Sequence, residues 1–227
     1  MSLIEVKNLS AYYENKEIFS NLNFSVYEGD YLCIIGENGS GKTTLMRLLL
    51  GFKVKKSGSI ILRGVTRKEI GYLPQKTETQ RDFPASVNEI IMSGFSSKSF
   101  FGIRYSKAQK EKALKNMELL EIGELKNRSF KELSGGQQQK VLLCRSLCAT
   151  SKAILMDEPV TGLDSASREE FYALIRKLNL SGIAVIMISH DINKALVEGK
   201  NILHISENGY FYGKTIDYLE SGFGGAK

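Results

Sequence analysis

Apolar and polar positions change rhythm twice along this chain. Over the first 30 residues, "LIEVKNLSAYY" and "LNFSVY" have strand composition with the turn residues "ENK" between them, which predicts an antiparallel β start. From Tyr31 onward, short unbroken apolar runs take over: "YLCII", "EIGYLP", "AILMD", "IAVIMIS" and "NILHIS". Between them lie segments whose apolar residues return at helical spacing, such as Leu45, Leu48 and Leu49, or Phe171, Leu174, Ile175 and Leu178. Strands alternating with helices in this way predict a mostly parallel sheet covered on both faces. Near the end, "SENGYFYG" sets Asn208 and Gly209 between two strand-like runs and predicts a hairpin.

The second change of rhythm runs from about Ser86 to Ala149. Here "SKAQKEKALKNMELLEI" puts Ala113, Leu114, Met117 and Leu120 on one helical stripe with Glu and Lys mixed on the other face. A helical lobe, 86–149, is therefore expected to be inserted into an α/β core formed by 1–85 and 150–227, all within one domain over 1–227.

Composition narrows this picture little. A chain of 227 residues can bury a substantial core, and no apolar run approaches the roughly 18 residues that a membrane-spanning helix needs. The opening "MSLIEVKN" brings in Glu5 early and lacks the basic-then-apolar order of a signal peptide, so a cytoplasmic location is expected. Cys33, Cys144 and Cys148 sit in segments that read as core and form no CxxC pair, as in a reducing compartment. The one-turn spacing of Cys144 and Cys148 reads as buried thiols, not as a metal pair. A net charge of +6 calls for an acidic partner, but the basic residues are scattered, with only short groups such as "KVKK" from Lys53. They read as a solvated face, and no nucleic-acid partner is expected.

The chemistry begins at "GENGSGKT", Gly36 to Thr43, which follows a strand, precedes a helix and satisfies GxxxxGK[ST] in full. Its glycines let the backbone curl with N–H groups inward, Lys42 can reach the β- and γ-phosphates, and Thr43 offers a hydroxyl to Mg²⁺. Gly36, Glu37, Asn38, Gly39, Ser40, Gly41, Lys42, Thr43 and Thr44 are thus the candidate nucleotide contacts. In "AILMDEP" an apolar strand ends in two acids at the carboxyl edge of the sheet. Asp157 is the candidate for the Mg²⁺ shell, and Glu158 for polarising the water that attacks the γ-phosphate. A second glycine-bearing stretch, "LSGGQQQK" from Leu133 to Lys140, opens another helix and could also hold an anion.

"GENGSGKT", "LSGGQ" and "ILMDEP" in this order, with a helical region between, resemble the nucleotide-binding subunit of an ABC transporter, and the resemblance covers essentially the whole chain. It implies an α/β fold: a P-loop NTPase core with a mostly parallel sheet, an antiparallel β N-terminal part and an inserted helical lobe. A guanine-specific protein would add an NKxD element, whereas "NKE" from Asn15 is followed by Ile18; ATP is therefore the expected nucleotide, with Mg²⁺.

The same resemblance assigns the smaller elements. Tyr13 in "SAYYE" matches the aromatic that stacks on adenine, with Tyr12 as the competing register. Gln75 in "YLPQ" matches the glutamine that reaches toward Mg²⁺ and water. Asp164 in "TGLDS" matches the aspartate loop between subunits, and His190 in "ISHD" matches the histidine that contacts the γ-phosphate. His204 receives no function. Similar proteins pack two subunits head to tail, so Ser134, Gly135, Gly136 and Gln137 would cover ATP held by the glycine loop of the other copy. Lys140 stands where arginine is frequent, and Ser165 follows Asp164 where proline is common.

The implied partners are a second ATPase subunit, read as an identical one, a multi-span membrane permease and, indirectly, an extracytoplasmic substrate-binding protein. The chain would then sit peripherally on the cytoplasmic face of the cell membrane. Gln75 and the helical lobe are where the family docks its permease. Phe95, Phe100, Phe101 and Tyr105 read equally as that groove or as core. Among cargo classes the segments "DFPASVNEII" and "DEPVTGLD" resemble the metal-ion uptake group, zinc first and manganese next, with iron-chelate importers and soluble cofactor-assembly ATPases as alternatives.

Overall fold

The computed structural model describes residues 2–13, 16–75, 84–95, 105–150 and 152–223. The first half comprises β1 (Ser2–Tyr13), β2 (Lys16–Tyr27), β3 (Tyr31–Ile35), α1 (Lys42–Leu50), β4 (Ser57–Leu62), β5 (Ile70–Leu73), α2 (Val87–Met92) and α3 (Lys107–Leu119). The second comprises α4 (Gly135–Ala149), β6 (Ala153–Asp157), α5 (Ser165–Leu180), β7 (Ala184–Ile188), α6 (Ile192–Glu198), β8 (Asn201–Ser206), β9 (Gly209–Lys214) and α7 (Thr215–Ser221).

The unbroken apolar runs all became strands of one sheet, ordered β5-β6-β7-β3-β8-β9 and parallel except for β9. Every residue of β3, β6 and β7 is buried, because helices cover one face and the N-terminal sheet with α1 covers the other. That N-terminal sheet is antiparallel, as its alternation predicts, in the order β2-β1-β4. Its third strand carries only half-buried side chains after an exposed Ser57, a weak signal that the sequence reading passed over.

In the final hairpin Ser206 already pairs with Gly209, so the tight turn is Glu207–Asn208, one residue earlier than expected. His204 has a packing role: buried in β8, it shares a 2.8 Å hydrogen bond with Tyr218 Oη, and its ring meets Phe223 edge-on at 5.2 Å. These contacts fasten α7 to the sheet. Burial lowers the imidazole's pKa, which keeps the ring neutral.

The inserted lobe is helical among the described residues. Ser86, Ser106 and Ser134 cap α2, α3 and α4 through capping boxes completed by Glu89, Gln109 and Gln137. Ala113, Met117 and Leu120 are buried as predicted, whereas Leu114 turns out to be 42% exposed, on the polar side of the stripe. Phe95 is buried and Tyr105 packs on it, ring centroids 6.4 Å apart, so these two belong to the core; Phe100 and Phe101 lie outside the described residues. All three cysteines are buried free thiols. No helix among the described residues is long and apolar enough to cross a membrane.

α2 ends against α4 where only a glycine fits: a Cβ on Gly94 would lie 2.0 Å from the Arg145 carbonyl oxygen. Gly94→Ala is expected to overpack this junction at a cost of about 2 kcal/mol. In a chain of this size that lowers the melting temperature by roughly 4 to 8 °C. Unchanged melting by calorimetry would mean that the lobe moves freely at that contact.

Candidate functional site

β3 runs directly into the glycine loop, and the loop is built against distant parts of the chain. Gly36 (φ 144°) rests on the Ile205 backbone, where an added Cβ would come within 2.2 Å of the carbonyl oxygen. Gly41 (φ 98°) rests on Ile18, whose Cγ2 would lie 2.2 Å from a Cβ there. These two positions admit glycine because both the backbone angle and the space demand it. Gly41 also opens α1 without a side-chain cap, which leaves the helix N-terminus to an outside acceptor.

Lys42 is buried, and its Nζ donates to the carbonyls of Gly36 at 2.8 Å and Glu37 at 2.7 Å. Burial lowers its pKa, while the carboxylates of Glu158 and Asp157 oppose that shift. A cation held among loop carbonyls by such interchangeable bonds can turn to a phosphate oxygen.

The two acids at the end of β6 have contrasting surroundings. Asp157 is buried, and its Oδ1 has no hydrogen-bond partner. Burial first and the Glu158 charge second raise its pKa; Arg47, Lys42 and His190 oppose. Glu158 has a left-handed backbone (φ 47°) and donates its N–H to Ile188 at 3.2 Å. Its Oε1 pairs with His190 Nε2, while Oε2 accepts from Gln75 Nε2 at 2.9 Å and from Thr161 Oγ1 at 3.4 Å. Glu158, His190 and Gln75 are therefore brought together.

A cleft of about 1040 Å³ opens over the loop. Residues 37–44, Glu158 and His190 line it on one side, and Glu17–Ser20 with the 206–210 turn line the rest. Asp157 and Gln75 reach it through Glu158, as chain neighbour and hydrogen-bond donor. A buried, partnerless carboxylate oxygen at Asp157, with the equally partnerless hydroxyl of Ser40 nearby in the loop, fits a hard cation that takes oxygen ligands. The Tyr13 side chain lies outside what is described; Tyr12 is engaged locally, its hydroxyl donating to Glu17 Oε2 at 2.7 Å under the Lys56 ammonium.

The second glycine stretch lies elsewhere. Ser134 to Gln137 and Asp164 do not line the cleft; they form a patch of their own. Ser134 caps α4, and its Oγ accepts from Gln137 N at 3.3 Å while Gln137 Oε1 accepts from Ser134 N. One of the four free N–H groups of that helix is thereby used, which leaves Gly135 and Gly136 to present theirs. Asp164 caps α5 and accepts from Ser167 N at 2.9 Å and Oγ at 2.7 Å. That same Oγ would lie 2.9 Å from a Cβ on Gly136, so the two predicted elements touch within one chain. Lys140 is engaged by Glu170 at 2.6 Å.

Sequence reasoning missed Thr161 and Arg47, which act on Glu158 and Asp157, and the cleft wall from Glu17 to Ser20 and from Ser206 to Tyr210. The wall has no local signal, because Tyr210 meets Asn21 and Asn23 only through the tertiary fold.

The ABC transporter family model matches residues 19–161. A "Probable metal transport system ATP-binding protein" of Thermotoga maritima is 38% identical over 216 residues, 95% of this chain and 86% of its own. The zinc uptake system ATP-binding protein of Listeria innocua is 31% identical, with 95% of this chain and 87% of its own covered. Among solved structures, the ADP conformation of an ATP-binding cassette of an ABC transporter superposes with a TM-score of 0.83 at 25% identity. That superposition covers 97% of this chain and 96% of the other.

A raised Asp157 pKa means that the folded chain holds this proton more tightly than the unfolded one. Folding gains support below the usual carboxylate range and loses it as pH rises. Asp157→Asn is accordingly expected to melt above the wild type at pH 7 without nucleotide, with the margin closing below pH ~4. Thermal scans across pH would refute this if the variant melted lower throughout.

Proposed function

The chain belongs to the ABC transporter family, and we propose that it is the ATP-hydrolysing subunit of a divalent-metal importer, zinc favoured and manganese next. The observation that carries the ATPase mechanism is the convergence of Gln75, Glu158 and His190 beside the glycine loop. The cargo reading draws on the zinc and metal-transport relatives alone.

In this reading the α1 N-terminus and the loop N–H groups hold the β- and γ-phosphates, and Lys42 exchanges its loop carbonyls for phosphate oxygens. Thr43, Asp157 and Gln75 would hold Mg²⁺, which when bound neutralises phosphate charge. Glu158 orients the attacking water and accepts its proton. Its bond to Gln75 fixes one carboxylate oxygen, and the other is freed when His190 turns to the γ-phosphate. Tyr13 supplies the adenine face.

Ser134, Gly135, Gly136 and Gln137, with Asp164 against them, lie off the cleft of their own chain. They serve the nucleotide of a second copy, packed head to tail, so that the γ-phosphate joins the two and its loss releases them. The core 1–85 and 150–227 holds ATP while the lobe 86–149 carries the second cradle and meets the permease. The subunit works peripherally at the cytoplasmic face of the membrane, below a multi-span permease fed by an extracytoplasmic binding protein.

Glu158→Gln is expected to bind ATP, to lose hydrolysis by about 100-fold or more, and to elute as a dimer with ATP and as a monomer with ADP. Size-exclusion chromatography and phosphate release measure both. Hydrolysis at the wild-type rate would remove Glu158 from this role. Purification of the tagged chain from detergent-extracted membranes, with cargo metals varied, tests the transport reading.

A further inference from the structure

Just past α1 the chain exposes two apolar side chains in succession: Phe52 is 70% exposed and Val54 90%. Single exposed hydrophobics are ordinary, but this pair has a defined seat. Gly51 ends α1 in the left-handed region (φ 77°), and Arg67 lies across it, its Cδ 2.8 Å from where a Cβ would stand. Phe52 then meets the half-buried ring of Tyr72 edge-on, centroids 6.2 Å apart.

Tyr72 is connected in two directions. Its carbonyl accepts from Ser146 Oγ of α4 at 2.8 Å, and its strand β5 leads within three residues to Gln75, which holds Glu158 at 2.9 Å. Whatever rests on Phe52 therefore bears on the strand behind the catalytic carboxylate and on the helix that begins at Ser134.

The cations of this loop discriminate between possible occupants. Lys55 Nζ donates to the Gly58 carbonyl, and Lys56 Nζ sits over the Tyr12 ring at 5.4 Å. A lipid-headgroup site needs its lysines turned outward, and these are turned in. Meanwhile Glu69, the acid nearest to Arg67 in sequence, is engaged by Thr66 N at 2.9 Å and Oγ1 at 2.8 Å. The rim keeps the positive charge of Arg67 around an apolar tip, which fits a protein segment that combines an apolar side chain with a carboxylate.

We propose that Phe52 and Val54 are a docking contact for an acidic, amphipathic cytoplasmic segment of the membrane permease. Tyr72 and Gln75 carry that contact to Glu158. This inference rests on the transporter reading above.

The test compares wild type, Phe52→Ala and Val54→Asp, each tagged in the native cell and recovered from detergent-extracted membranes. A photo-crosslinking residue at position 54 identifies the peptide touched. Val54→Asp guards against misfolding, because so exposed a side chain contributes no packing, and equal melting temperatures of the isolated chains check this. The expected result is a crosslink to a carboxylate-bearing cytoplasmic segment of a multi-span protein, with its recovery lowered about 10-fold in both variants, as for truncation of an interface hot spot. Recovery of the membrane protein undiminished in both variants would overturn the docking contact and leave the transporter reading standing. No membrane protein with the wild type would overturn both. Binding of the isolated wild type to phosphatidylglycerol vesicles, lost in Phe52→Ala, would overturn it in favour of lipid.

Discussion

Three segments far apart in sequence meet at one carboxylate. Glu158 takes Gln75 from the end of β5, His190 from the end of β7 and Thr161 from its own turn. It does so from a left-handed backbone that a non-glycine residue adopts only when its surroundings hold it there. The parallel sheet supplies that hold: β5, β6 and β7 lie side by side, and their carboxyl ends deliver the three groups to one edge. The apolar bulk of this protein, two hydrophobic clusters on either face of the sheet, exists in effect to keep these strand ends in register.

The same economy appears on the opposite patch. α4 and α5 each begin with a side-chain cap, Ser134 and Asp164, and the caps touch through Ser167 and Gly136. Each helix thereby satisfies its own first N–H groups in part and keeps others facing out. Half of the phosphate-binding machinery thus faces the cleft and half faces away from it, an arrangement that a single chain cannot close upon itself.

Much of this was legible in the residues. The buried strands are continuous apolar runs, which parallel pairing requires, and the glycine loop and the acid pair each sit where their chemistry needs a strand to end. What escaped the sequence depends on long-range packing. Nothing local in "SGSIIL" marks β4, because its side chains are only half buried. Leu114 sits on the predicted apolar stripe yet remains exposed, since α3 buries mainly Ala113 and Met117. The cleft wall at Glu207 to Tyr210 comes from a hairpin whose tyrosine hydroxyl reaches Asn21 and Asn23 across the two sheets. Thr161 was invisible as a partner of Glu158 because that contact follows from the unusual backbone angle, which spacing alone does not reveal.

The floor of the glycine loop has a consequence for the order in which this protein comes into being. Gly36 is seated on the Ile205 carbonyl, and β3 lies between β7 and β8, both contributed by the last part of the chain. A chain emerging from the ribosome carries its complete nucleotide motif early, yet the surface that shapes the loop arrives only with β8. Until then β3 is an apolar strand with both edges unpaired, the kind of segment that needs shielding from aggregation. The nascent polypeptide therefore cannot be rescued by its own ligand during synthesis, and ATP can begin to stabilise it only once nearly all of it has been made.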